Sequence, residues 1–151
     1  MYWPKLIAVT AACLICAGVT LPAQAGIFSK KGAVIAVAAE DVYVGEAEGH
    51  LDGSGTVAIH SQKNPQLKCV GEFTSSAQLG GSGVLQCSDN STAEFRFKRL
   101  TVYQGYGSAS FSWGEMTFAY GFTPEEAAPY LKLPQNKTLA RNGTAIALVD
   151  R

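Results

Sequence analysis

Few residues in this sequence have the types and spacing that catalysis requires. Serine is frequent, and His50 and His60 are present as bases, but no Gly-x-Ser-x-Gly segment exists to carry a nucleophilic serine. Glu46, Glu72 and Glu115 offer the kind of carboxylate pair that glycoside hydrolases use. Because Glu46 and Glu72 both follow a Val-Gly dipeptide, their recurrence favours a shared surface role instead. We therefore predict no catalytic residue.

The cysteines favour a structural role. Cys69 and Cys87 are 18 residues apart, and neither belongs to a Cys-x-x-Cys pair of the kind that binds metals or performs redox chemistry. An even pair in an exported chain is typical of a disulfide. We predict a Cys69–Cys87 disulfide, no metal site and no cofactor.

The N-terminal segment indicates export. Lys5 precedes an apolar run over 6–19, and Ala23-Gln24-Ala25 supplies the small residues of a cleavage site. The run is shorter than the roughly 18–20 residues that a transmembrane helix needs. We predict a signal peptide over 1–25 that is cleaved after Ala25, a periplasmic or secreted protein, and no transmembrane segment after cleavage.

Length and charge exclude some functions. The full chain of 151 residues has 12 Lys and Arg and 12 Asp and Glu, and cleavage after Ala25 removes only Lys5 from this balance. A charge near zero without a broad basic face argues against nucleic acid as a partner. The remaining length suits one domain, which we place at 33–151 after a flexible leader over 26–32.

The central part of the chain has the pattern of an antiparallel sheet. Segments such as 56–59, 84–87 and 108–111 alternate with a period of two, as half-buried strands do. Of the 16 glycines, 12 lie between residues 45 and 121, where they are typical of tight turns and bulges. We predict an all-β fold that is mainly antiparallel.

One Gly-rich pattern occurs repeatedly. Val-Gly-Glu at 44–46 and 70–72 is followed in each case by Gly-Ser-Gly, at 53–55 and 81–83, and a fainter copy has glycines at 105 and 107. We predict hairpin repeats at 43–61, 69–88 and 103–113, with the paired glycines at the bends, where strands approach each other closely.

These residues resemble the MORN repeat, a hairpin unit built on Tyr-x-Gly, an aromatic residue and Gly-x-Gly. The resemblance covers 43–111, although its period is longer here, Cys69 replaces a tyrosine and Ala47 replaces an aromatic residue. It implies a rolled or elongated sheet that acts as a scaffold or interaction surface. A closed small barrel or a sandwich explains the strands equally well.

The C-terminal part has the signals of a helix and a hairpin. Thr123 is a suitable N-cap and Pro124 a suitable first residue for one short helix near 124–131. Asn142-Gly143 predicts a type I′ turn in a C-terminal hairpin, which we expect to close the sheet against 33–39.

Aromatic residues between 103 and 120 suggest binding. They cannot all share one packed face, so they form a candidate aromatic binding surface, with ordinary core packing as the alternative: Tyr103, Tyr106, Trp113 and Tyr120. We expect a non-enzymatic protein of the bacterial cell envelope that acts as a binding or scaffold module for an envelope protein or a glycan. The alternatives are a secreted inhibitor or effector that binds a host or competitor enzyme, and a glycan-acting cell-wall enzyme.

Overall fold

The computed structural model describes residues 29–76 and 78–151. The predicted signal peptide and the first residues of the predicted leader lie outside this range. The strands are β1 (Ser29–Ala38), β2 (Asp41–His50), β3 (Ser54–Ser61), β4 (Lys68–Ser76), β5 (Gly80–Cys87), β6 (Thr92–Arg99), β7 (Gly105–Phe111), β8 (Gly114–Tyr120), β9 (Lys137–Asn142) and β10 (Ala145–Asp150), with the helix α1 (Pro124–Ala127) and a 3-10 turn (Ala128–Tyr130) before β9.

The first eight strands form a closed antiparallel barrel. Each strand pairs with the next one along the chain, and β1 also pairs with β8, from Val34 opposite Tyr120 to Ala38 opposite Met116. The predicted all-β, mainly antiparallel fold is confirmed. Of the alternatives that the sequence left open, the sheet forms the closed small barrel.

Aromatic rings from the even-numbered strands β4, β6 and β8 lie over glycines of the preceding odd-numbered strands. A Cβ on each of these glycines would come within 3.0 Å of the ring or the hydroxyl of its partner; the pairs are Gly55 with Phe73, Gly83 with Phe95, Gly81 with Phe97, Gly107 with Phe118 and Gly105 with Tyr120. The expectation that the paired glycines lie at the bends therefore holds for Gly53 in the β2–β3 turn and is wrong for the others. Most of them lie within strands, where the missing side chain leaves room for a ring.

A second core lies outside the barrel. Ile35 and Val37 alternate with the inward-facing residues of β1, so they point outward, where they pack with Ala127, Leu131 and Leu139. The predicted helix is confirmed as α1 with its 3-10 turn, and Thr123 caps it in a reciprocal capping box with Glu126. The predicted C-terminal hairpin is confirmed as β9–β10.

Four details differ from expectation. β1 begins at Ser29, so most of the predicted flexible leader over 26–32 is strand. The third repeat, 103–113, contains one strand only, because β7 pairs onward with β8. The C-terminal hairpin forms its own sheet, because pairing of β1 with β8 already closes the barrel. The two turn residues of this hairpin are Gly143 and Thr144 rather than the predicted Asn142 and Gly143. Gly143, the first of the two, has a positive φ of 63°, which fits a type II′ turn rather than the predicted type I′ turn.

The predicted disulfide is confirmed. Cys69 and Cys87 are directly opposite each other on β4 and β5, and their sulfur atoms are bonded. Cys69 is buried in the barrel interior, where its counterpart on β3 is Ile59. The bond joins the two strands near the end of the barrel that holds the β5–β6 turn.

Candidate functional site

The barrel encloses a cavity of about 330 Å³. It reaches the surface at the end where β1 begins, between the β2–β3 turn and the β6–β7 loop, and we call this end the mouth. An eight-stranded barrel is just wide enough either to be filled by side chains or to hold one small ligand. The volume lies at the lower end of the range that is common for small-molecule sites.

Two walls of different character line the cavity. Small residues of β1 and β2 form one side: Gly32, Val34, Ala47 and Gly49. Aromatic residues of β4, β6 and β8 form the other: Phe73, Phe95, Phe97, Phe118 and Tyr120. The cavity exists because the small residues of β1 and β2 leave space that the aromatic rings do not fill. Edge-to-face contacts fix the rings against one another, with 5.4 Å between the centroids of Phe73 and Phe97.

Arg99 is the last residue of β6. Its side chain faces inward, as those of Phe95 and Phe97 on the same strand do. Its Nη2 donates to Oγ of Ser75 at 2.8 Å, and its Nη1 donates to the carbonyl of Val102 at 3.3 Å. Ser75 is itself held by the carbonyl of Gly53, to which its backbone N–H donates at 2.7 Å. The guanidinium is therefore fixed at the mouth by β4 and the β6–β7 loop, and the β2–β3 turn in turn holds Ser75.

Tyr120 is the corresponding last residue of β8. Its ring lies over Gly105 and meets Phe97 edge to face, with 5.8 Å between the centroids. Burial raises the pKa of Tyr120, and the positive charge of Arg99 opposes this shift only in part. The hydroxyl therefore keeps its proton at neutral pH and is available as a hydrogen-bond donor.

The rim of the mouth is more basic than acidic. Lys30, Lys31 and His50 line it together with Arg99, whereas Asp52 is the single carboxylate among the lining residues. Lys30 lies over the ring of Tyr103, with 5.3 Å from Nζ to the centroid. Asp52 accepts hydrogen bonds from the N–H and Oγ of Ser54, and these bonds lower the pKa of its carboxyl group.

Apolar side chains stand exposed around the same mouth. Leu51 in the β2–β3 turn is 80% exposed, Leu79 in the β4–β5 turn is 82% exposed, and Val102 in the β6–β7 loop is 65% exposed. Leu51 and Val102 also line the cavity. The apolar interior is thus continuous with apolar loop tips that reach the solvent.

No family model, curated protein or solved structure matches this chain. The resemblance of 43–111 to MORN repeats therefore stays a prediction.

The structure does not bring the four predicted aromatic residues together. Tyr103 lies on the rim, and Tyr120 lies inside the cavity. Tyr106 faces outward and stacks on Tyr130, with 4.9 Å between the centroids. Trp113 stacks on Phe111 in the β7–β8 turn at the opposite end of the barrel.

The residues that first suggested catalysis lie mostly elsewhere. Glu46, Glu72 and Glu115 are exposed and do not line the cavity, while His50 is at its rim. Within 29–76 and 78–151, no group of three His, Cys, Asp or Glu is placed to hold a metal ion. None of the described helices is long and apolar enough to cross a bilayer.

Sequence reasoning named Tyr120 as a candidate binding residue but missed Arg99. Charge alone groups Arg99 with Arg96 and Lys98 at the surface, although the alternation of Phe95 and Phe97 continues directly to it. Extending that period-two series by one residue would have placed the Arg99 side chain inside the barrel, as the alternation of Met116 and Phe118 does for Tyr120.

Proposed function

We propose that this protein is an exported, non-enzymatic binding protein of the bacterial cell envelope, and that its barrel holds one small, largely apolar molecule. The observation that carries the proposal is the cavity of about 330 Å³, which opens at the mouth and is lined by five aromatic side chains inside and by Tyr103 at the rim. Pockets of this kind, mainly apolar with a few polar groups, are the usual sites of small-molecule binding.

One further feature supports export. The Cys69–Cys87 disulfide suits an oxidising compartment, which fits the predicted signal peptide. If export follows that prediction, mass spectrometry of the protein recovered from a bacterial periplasm should find Gly26 as the first residue. An envelope protein or a glycan as ligand, the inhibitor or effector role and the glycan-acting enzyme all stay predictions.

A fluorescent probe tests the proposed function. We expect N-phenylnaphthylamine, a neutral apolar dye, to gain fluorescence on binding to the purified full chain. Ala47→Leu adds a side chain on the small-residue wall and should abolish the gain. Ala58→Leu is the matched control, because Ala58 lies on the adjacent strand β3 but is exposed on the outer surface.

Two results would contradict the proposal. One is a wild-type protein that leaves the dye fluorescence unchanged. The other is equal dye binding by the folded Ala47→Leu and Ala58→Leu variants, which would place the dye outside the cavity. Circular dichroism of both variants establishes beforehand that the barrel is intact.

A further inference from the structure

Two hydrogen-bond donors on residues that line the cavity have no acceptor in the part of the chain that the structure describes. They are Nε of Arg99 and Oη of Tyr120, and both atoms are buried. A buried donor without an acceptor is costly, and most such groups in proteins find a partner. A ligand that brings an acceptor to this place would therefore be favoured over a wholly apolar one.

The charge of Arg99 indicates what kind of acceptor fits. Arginine keeps its positive charge at any physiological pH. The three ion pairs formed by described residues join Lys31 to Glu48, Lys132 to Glu115 and Lys137 to Asp150, so Arg99 takes part in none of them. An anionic group of a ligand would neutralise this half-buried charge, whereas an uncharged acceptor would not.

The positions of the two donors fix the orientation of the ligand. Arg99 and Tyr120 end their strands at the mouth, and Gly105 is paired with both of them across the sheet. The aromatic residues that precede them on β6 and β8 lie deeper in the barrel. A polar group held by the two donors would therefore sit at the mouth, with its apolar part directed inward along the aromatic wall.

Resting on the proposed function, we propose that the ligand is an amphiphile with a single carboxylate. The carboxylate accepts hydrogen bonds from Nε of Arg99 and Oη of Tyr120, and the apolar tail fills the cavity behind them. Hydrogen bonds of charged groups are stronger than neutral ones, so the head group contributes selectivity as well as affinity. Lys30 at the rim adds a positive charge that attracts such an anion towards the mouth.

Displacement of N-phenylnaphthylamine from the full chain tests this proposal. The competitors are laurate, lauryl alcohol and dodecylamine, which share one tail and carry an anionic, a neutral and a cationic head group. Each is used below its critical micelle concentration. We expect laurate to displace the dye at about one-tenth of the concentration that lauryl alcohol needs, and dodecylamine to be the weakest of the three.

Substitutions then assign the selectivity to Arg99. In Arg99→Met the ratio of laurate affinity to lauryl alcohol affinity should fall to near one, and Arg99→Lys should restore part of it. Arg96→Met is the control for net charge, because Arg96 lies on the same strand but is exposed on the outer surface. Tyr120→Phe should weaken laurate binding a few-fold and lauryl alcohol binding less, because the charged carboxylate accepts the stronger hydrogen bond from Oη.

The possible outcomes separate the two proposals. Failure of the dye to bind would reject the proposed function. A dye that binds, but that laurate and lauryl alcohol displace equally, would overturn the carboxylate inference and leave the apolar binding site standing. The carboxylate inference also fails if Arg96→Met loses as much selectivity as Arg99→Met. If Arg99→Met does not fold, the carboxylate inference is tested by the three competitors on the wild type and on the Arg99→Lys variant.

Discussion

Tyr120 occupies the space that a side chain at Gly105 would fill. The two residues are opposite each other on β8 and β7, and a Cβ on Gly105 would come within 3.0 Å of both the tyrosine hydroxyl and the backbone carbonyl of Lys98. Gly105 is also paired with Arg99 on its other side. The absence of a side chain at this one position therefore sets where the phenol lies relative to the guanidinium at the mouth.

A substitution at Gly105 should thus affect stability and the mouth together. We expect Gly105→Ala to lower the free energy of unfolding by about 1–3 kcal/mol, because the added methyl group must displace Tyr120 or the backbone. Urea denaturation measures the loss. Gly32→Ala is the control, since the atom nearest to a Cβ there is 3.9 Å away. Equal stability of the two variants would show that the close contact of Tyr120 with Gly105 does not contribute to the free energy of unfolding.

The strands were predicted well from the sequence because apolar and polar residues alternate along a strand that has one buried face. The alternation in 56–59 and 84–87 predicted β3 and β5, and the even pair of Cys69 and Cys87 predicted the disulfide. The Thr123 and Pro124 signals placed α1 for an equally local reason, because capping depends on residues within one turn.

The site was harder to predict because it depends on closure of the barrel. Pairing of β1 with β8 joins residues that are far apart along the chain, such as Val34 and Tyr120, and no local pattern signals it. Only after closure do Ala47 and Phe97 line the same cavity. The glycines were misread for a similar reason, since their ring partners lie on neighbouring strands.

The disulfide should contribute measurably to stability. It closes a loop over 18 positions, for which constraint of the unfolded chain predicts a contribution of about 3 kcal/mol. We expect dithiothreitol to lower the urea midpoint of the wild type by the corresponding amount. The double variant Cys69→Ala, Cys87→Ala should unfold at a similarly low midpoint and no longer respond to the reductant. A wild-type midpoint that is insensitive to complete reduction would contradict the expectation.

Stability should decline at alkaline pH because of two tyrosines inside the barrel. Burial, with the negative charges of Asp41 and Asp89, raises the pKa of Tyr43 above its ordinary value of 10.0, and burial raises the pKa of Tyr120 as well. The folded state then holds these protons more tightly than the unfolded state does. Their stabilising contribution is complete below pH 10 and is lost as the pH rises through the folded-state pKa values.

Urea unfolding from neutral to strongly alkaline pH measures this decline. Tyr43→Phe removes one of the two groups, so its stability should fall less steeply with rising pH than that of the wild type, and Tyr43→Phe with Tyr120→Phe should fall less steeply still. Tyrosinate absorbance followed in parallel reports the ionisation itself. Identical pH dependence in all three proteins would show that neither phenol is linked to unfolding.

The outer core should stabilise the protein without shaping the cavity. Leu139 of β9 is 3% exposed and packs with Ile35 and Val37 on the outside of the barrel. Leu139→Ala should cost about 2–5 kcal/mol, the usual range for removing a buried leucine side chain. Leu79→Ala, at an exposed loop tip, should cost almost nothing. Because β1 presents its other face to the cavity, we expect folded Leu139→Ala to bind N-phenylnaphthylamine with wild-type affinity. Loss of dye binding in a folded Leu139→Ala variant would instead show that the C-terminal hairpin controls the interior of the barrel.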